Sequence, residues 1–179
     1  MNITRAKNVA VIVLCFSLVA VIHVTSMMSS SSSIKFPTFA LAQGEQNFTA
    51  NLVGQNEVPP TTAKATGSAE FILGSDGMIM KYEVNVKNID NVTTAQIYQG
   101  KESENGPVVV TLIHFKALTP TGPVDGLLAE GNITADKLQG PLKGKQISDL
   151  TTLIDDNNAY VNVLTKQNPD GEIRGQIFD

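Results

Sequence analysis

Glu172 and Arg174 stand two residues apart near the end of the chain. Asn162 and Gln176 are their polar companions, in the stretches Ala159-Tyr-Val-Asn-Val-Leu-Thr165 and Gly171-Glu-Ile-Arg-Gly-Gln176. A carboxylate and a guanidinium on one strand face could serve as a recognition or catalytic pair. A guanidinium is also a planar group with five donors. It suits a structural clamp, forking onto Glu57 or Glu172 and satisfying the carbonyls of a loop. No nucleophile or base accompanies the pair, so the clamp reading is adopted: Arg174 pins the Pro-rich Glu57-Val-Pro-Pro60 loop to the last strand.

The other reactive residue types are few. Glu57-Val58-Pro59-Pro60 could be a ligand-facing corner, but two prolines fix φ and end pairing, so it reads as a rigid crossover. Tyr98 and Tyr160 could form an aromatic patch for a sugar or a peptide. As ordinary strand residues, each ring would be half-buried with its hydroxyl at the surface. His114 closes a valine-rich stretch and reads as a strand-end residue rather than a base. Asp155-Asp156-Asn157-Asn158 lacks the ligand spacing and glycine of a calcium loop and reads as a helix-terminating turn.

The chain has two histidines and one cysteine. His23 and Cys15 both fall in the N-terminal apolar region, which leaves His114 as the single imidazole of the rest. A disulfide framework, a thiolate metal site and a multi-histidine site within one chain are therefore excluded by counting. Gly-rich phosphate loops are absent. The chain reads as non-catalytic and without a cofactor.

The elements that must position these residues are short strands. Phe48, Ala50 and Leu52 alternate with polar neighbours. Ala69, Phe71 and Leu73 lead through Gly74-Ser-Asp-Gly77 to Met80, Tyr82, Val84 and Val86, which is the pattern of a hairpin. Val92–Tyr98, Pro107–His114 and, more weakly, Leu127–Ile133 follow. The C-terminal stretch predicts two strands around Pro169-Asp170-Gly171, with one dry face and one charged face. Ile147, Leu150, Leu153 and Ile154 at helical spacing, after Ser148-Asp149, predict one short helix. Strands at this spacing with Gly, Pro and Asn turns predict an all-β antiparallel sandwich or barrel.

Length and charge frame the whole. The chain of 179 residues carries a formal net charge of −4, enough for one domain of ordinary size. Residues 1–42 hold Arg5, Lys7 and Lys35 and no acid, so the acidic excess lies in the remainder. An acidic domain without a basic stripe argues against nucleic acid as a partner. Arg5 and Lys7 precede an apolar run from Val9 to Val24, a polar Ser29–Ser33 tract, and Ala40-Leu41-Ala42. This reads as an export signal cleaved before Gln43, or as an uncleaved membrane anchor with a serine-rich spacer. The run of about 16 residues is short of the roughly 20 that span a bilayer. Residues 43–179 then form the exported domain, secreted or tethered at its N-terminus. Asn2, Asn47, Asn91 and Asn132 begin Asn-x-Ser/Thr triplets. The last three, in the exported part, are candidate glycan acceptors.

Five motifs in order carry a family resemblance. They are Phe48-Thr-Ala-Asn-Leu-Val-Gly-Gln-Asn-Glu-Val-Pro-Pro60, Ala95-Gln-Ile-Tyr-Gln-Gly100, Asn105-Gly-Pro-Val-Val-Val110, Gly131-Asn-Ile-Thr134, and the C-terminal stretch already quoted. Together they resemble the CHRD domain, the module repeated in chordin and found singly in many exported microbial proteins. The resemblance implies an immunoglobulin-like or superoxide-dismutase-like β-sandwich without an established enzymatic activity. Members usually read Ala-His-Ile-His-x-Gly and Val-His-Thr where this chain has Gln96, Tyr98 and Leu164. Three imidazoles on two strands would suit a metal ion. Their replacement here makes a metal-binding or dismutase-like protein the disfavoured alternative.

The sequence therefore predicts an exported, non-catalytic CHRD-type protein, a binding or cell-envelope module whose partner is a protein or glycan at the cell surface. Its candidate binding or clamp residues are Glu57, Gln96, Tyr98, Asn162, Leu164, Glu172 and Arg174. Mass spectrometry of the mature protein tests the address. The expected N-terminus is Gln43, and an intact apolar run would make the segment an anchor.

Overall fold

The computed structural model describes residues 44–115 and 122–179. The export or anchor segment, its serine tract, Asn2, Cys15 and His23 lie outside the described residues. Among the described residues no helix is long and apolar enough to cross a membrane.

Eight strands form in chain order: β1 (Gln46–Val53), β2 (Thr66–Leu73), β3 (Met80–Asp90), β4 (Val92–Gln99), β5 (Val108–His114), β6 (Pro123–Ile133), β7 (Ala159–Thr165) and β8 (Ile173–Gln176). One helix, α1 (Ile147–Asp155), precedes β7. The sheet order is β5-β4-β7-β8-β1-β2-β3-β6, with every neighbouring pair antiparallel. The two four-strand halves meet at the β8–β1 seam, through the pair Val53↔Arg174. At the other end the Tyr82 hydroxyl of β3 donates to the Leu112 carbonyl of β5 at 2.8 Å, so the sandwich is nearly closed. The all-β antiparallel fold with one short helix is the one that forms.

The alternation in sequence becomes the core directly. Phe48, Ala50 and Leu52 of β1, Ala69, Phe71 and Leu73 of β2, and Met80, Val84 and Val86 of β3 are buried in one cluster. Successive strand side chains point to opposite faces, so every second residue enters it. The β2–β3 hairpin closes where expected, with Leu73 opposite Met80 and the Gly74 amide donating to Ile79. Helix α1 starts one residue before the predicted Ser148. The Asp149 carboxylate accepts from the Gln146 amide at 2.9 Å, which satisfies a donor that the helix start would otherwise leave open. Ile147, Leu150 and Ile154 join the core, and Leu153 packs against it half-buried.

Two departures bear on function. Strand β6 begins at Pro123, earlier than the expected Leu127. Its first part is mostly exposed, and the β3–β6 ladder is broken by register shifts, so the apolar signal there is faint. More consequentially, β7 is buried along nearly its whole length. The expected contrast of dry face and wet charged face does not exist there, because loops cover the outward face. The residues between those loops and the sheet form the site.

Candidate functional site

The register of β4, β7 and β8 places the polar residues in rows. Gln96, Asn162 and Arg174 are cross-strand partners in one row, and Tyr98, Tyr160 and Gln176 in the next. Leu164 lies opposite Thr94, one step along. Strand alternation thus brings Gln96, Tyr98, Asn162, Leu164 and Arg174 onto one face.

Arg174 is 1% exposed and Tyr160 2% exposed. The guanidinium carbon lies 3.4 Å from the centroid of the Tyr160 ring. On the other side of Tyr160 the Tyr98 ring stacks at 5.2 Å, with 8° between planes. A cation over an aromatic face is attracted by the ring quadrupole, more strongly when water is excluded. The Arg174 donors go to the loop after β4. One terminal nitrogen donates to the Lys101 and Glu104 carbonyls at 2.7 and 2.9 Å, and the other to Asn105 Oδ1 at 3.0 Å. Asn105 Nδ2 passes the connection on to the Val58 carbonyl at 2.6 Å. The Gly106 amide donates to the Tyr160 hydroxyl at 3.2 Å. A Cβ on Gly106 would collide with the Gln99 carbonyl, so the Asn105-Gly106 pair needs both of its residue types. Burial pushes the Arg174 pKa down, while Tyr160, Glu57 and Glu102 push it back up.

Glu57 reaches the same layer from the Pro-rich loop, which follows a 3-10 turn at Gly54–Asn56 and holds a cis Val58–Pro59 bond. It is 5% exposed. Glu57 Oε2 accepts from Asn162 Nδ2 at 3.2 Å, while Glu57 Oε1 and Asn162 Oδ1 are buried without a hydrogen-bond partner. Burial raises the Glu57 pKa from 4.5 to about 7, against the opposing pull of Arg174 and the Asn162 hydrogen bond.

Arg174 thus makes its hydrogen bonds to partners other than the expected Glu57 and Glu172. Arg174 fastens the 101–106 loop directly and the Pro-rich loop through Asn105. Glu172 stands aside, just before β8 begins. Its carboxylate accepts from Thr165 Oγ1 at 2.5 Å and Asn168 Nδ2 at 3.1 Å, closing the β7–β8 turn. Tyr160 is not a surface phenol, because the 101–106 loop lies over it. Tyr98 is the half-buried one. Its hydroxyl donates to Gln96 Oε1 at 2.8 Å, and burial, Tyr160 and Glu57 push its pKa up to about 12. Gln96 Nε2 donates in turn to Thr111 Oγ1 at 3.1 Å. His114 ends β5 exposed, and Asp155–Asn158 terminate α1, with Asn157 at φ 53°. Asn105, Thr165, Asn168 and Gly171 are the site residues that sequence reasoning missed. Asn105 and Gly106 stand inside a motif already noticed, but its partner Arg174 is far off in sequence.

Beside this layer runs a groove of about 360 Å³ whose walls include Val58, Pro59, Tyr98, Asn162, Leu164 and Asp170. A larger groove of about 430 Å³ lies against Glu70, Glu83 and Glu130 on β2, β3 and β6; the candidate glycan acceptor Asn132 lines it, and none of the candidate binding or clamp residues does. Of the positions where histidine is usual, Tyr98 and Leu164 line the smaller groove, while the Gln96 amide is engaged by Tyr98 and Thr111. Among the described residues no group of three or more His, Cys, Asp or Glu is placed to hold a metal ion.

Removing the Arg174 fork would break three part-buried hydrogen bonds from a charged donor, each worth about 1.5–3 kcal/mol net. Allowing for relaxation of the loop toward water, Arg174→Ala is expected to cost about 3 kcal/mol in urea unfolding. Arg174→Lys should recover less than half of that, since an ammonium cannot stack and fork at once. A loss under about 1 kcal/mol would show the clamp to be energetically idle.

Comparison with known proteins agrees with the order of motifs. The CHRD domain family model matches residues 48–177, from the first core residue of β1 to the end of the sheet. No curated protein and no solved structure matches the chain. The match takes in seven strands whole, β1 from Phe48 onward and both loops that Arg174 fastens, and on that ground the chain belongs to the CHRD domain family.

Proposed function

We propose that this CHRD-domain protein is exported and acts as a non-catalytic binding or cell-envelope module. Its ligand, a protein or glycan of the cell surface, occupies the groove between the Pro-rich loop and strands β4 and β7. The observation that carries this reading is the division of labour across the face. The ionisable groups that could do chemistry, Glu57 and Arg174, are buried and tied to their neighbours, whereas the groove offers ring, aliphatic and amide surface. Its lining holds Tyr98, Leu164, Val58 and Pro59 with Asn162 and Asp170, and no Ser, Cys or His. The lining exposes more polar than apolar surface, which suits a ligand rich in hydrogen-bonding groups, with the Tyr98 ring and Leu164 as its apolar contacts.

Export is supported by the basic and apolar N-terminal segment and by the acidic domain that follows. The membrane enters this reading only through that segment, if it stays uncleaved. Asn47 and Asn132 are exposed and Asn91 is half-buried, so the first two are the more accessible glycan acceptors in a glycosylating host.

Leu164 is half-buried at the groove wall. A Leu164→Arg substitution fills the groove without touching the Arg174 clamp. Wild-type protein, immobilised and exposed to native envelope extract and to a glycan array, is expected to retain a partner or a glycan. Leu164→Arg is expected to weaken that retention by at least about tenfold, or about 1.4 kcal/mol. Clean failure of well-folded wild type in both formats would overturn the binding role. Equal retention by the variant would move the site elsewhere.

A further inference from the structure

Two buried acceptors without donors stand on neighbouring side chains: Glu57 Oε1 and Asn162 Oδ1. Their other ends are already joined, Asn162 Nδ2 donating to Glu57 Oε2 at 3.2 Å. Glu57 is 5% exposed and Asn162 3% exposed, so water does not readily supply the missing donor. Two unpaired acceptors side by side are costly in a dry environment. One proton removes both faults at once. A protonated carboxyl becomes a donor while keeping an acceptor, and an amide offers the complementary pair.

We propose that Glu57 is held as the neutral acid and forms a cyclic acid–amide pair with Asn162, a proton clasp that fastens the Pro-rich loop to β7. In this pair Glu57 Oε1–H donates to Asn162 Oδ1, and Asn162 Nδ2–H donates to Glu57 Oε2. Gly171 seals it. A Cβ there would lie 2.5 Å from both Asn162 Nδ2 and Glu57 Oε2, and its φ of +145° suits glycine alone. The surrounding charges are consistent with the neutral acid. Arg174 is the cation that faces Glu57 from β8, but its terminal nitrogens are committed to Lys101, Glu104 and Asn105. Tyr98 and Tyr160 stand beside it from β4 and β7, Glu102 shares one groove with it and Asp170 another. Burial is the larger influence on Glu57, raising it to about 7.

The consequence is a loop that responds to pH. The folded protein keeps a proton that the unfolded chain releases at the ordinary carboxylate value of 4.5. Stability therefore declines as pH rises from about 4.5 through about 7, and levels off above. Above neutrality the clasp opens and a carboxylate is left facing an amide oxygen. Val58 and Pro59, which wall the ligand groove, follow Glu57 directly in the chain, so the groove loosens with it. The clasp needs no ligand, and it can fail or stand apart from the binding role.

The test pairs carboxyl-carbon NMR with a substitution. Glu57→Gln replaces the acid by an amide with the same donor and acceptor, and no proton to lose. The Glu57 side-chain carboxyl carbon of the wild type should titrate near neutral pH, and Glu57→Gln should fold while losing the decline in melting temperature across that window. Glu57→Ala should lose stability at every pH. Titration of the Glu57 carbon near 4.5 would overturn the clasp, as would a Glu57→Gln variant that keeps the wild-type pH profile.

Discussion

The guanidinium of Arg174 is almost wholly out of water, lying on the Tyr160 ring with its terminal donors turned to the 101–106 loop. Taking such a charge out of water costs several kcal/mol unless strong contacts replace hydration. The replacements come from two places: the aromatic face below, and two carbonyls and an amide oxygen above. Each makes a demand on the fold. The ring must sit one register step away on β7, and the loop must turn its carbonyls inward. Loop and strand are therefore arranged around one side chain.

That arrangement explains why a sheet face bearing Gln96, Tyr98, Tyr160, Asn162, Arg174 and Gln176 is not a wet surface. Amides, phenols and a cation on adjacent strands bond to one another and to the loops above, with Asn162 Oδ1 and Gln176 Oε1 left buried and unpartnered. The loops could not lie on an apolar face, since their inward carbonyls and amides would lack partners. Gln176 shows the same logic at the margin, its Nε2 donating to the Gly100 and Asn157 carbonyls at 3.0 and 2.8 Å. Packing is incomplete in two places at the edge of this layer, the groove beside Tyr98 and Leu164 and a second one between Glu102, Pro60 and Gln176.

Much of the fold was legible because its signals are local. The two-residue period of Phe48, Ala50 and Leu52 needs only the pleat, and Gly74-Ser-Asp-Gly77 needs only turn chemistry. The family match over 48–177 likewise follows from motifs in order. The site was legible in part. Alternation was enough to put Gln96 and Tyr98 on one face and Tyr160, Asn162 and Leu164 on one face, and the clamp role of Arg174 followed from its donor geometry. The pairing with Glu172 was misjudged because neighbours in sequence are an easy guess. The strand begins at Ile173, so Glu172 turns to Thr165 and Asn168 instead. Asn105 was missed because its partner is 69 residues away in sequence. No periodicity records which loop folds over which strand, so the burial of Tyr160 was equally hidden.

The central claim is that Arg174 holds the 101–106 loop down on Tyr160. Native-state hydrogen exchange at the Gly106 amide, which donates to the Tyr160 hydroxyl, tests it most directly. In wild type that amide should be protected nearly as well as the amides of β7. In Arg174→Lys it should exchange by local opening, at least about tenfold faster, while β7 keeps its protection. Unchanged protection at Gly106 would contradict the account, for the loop would then be held by something other than the buried guanidinium.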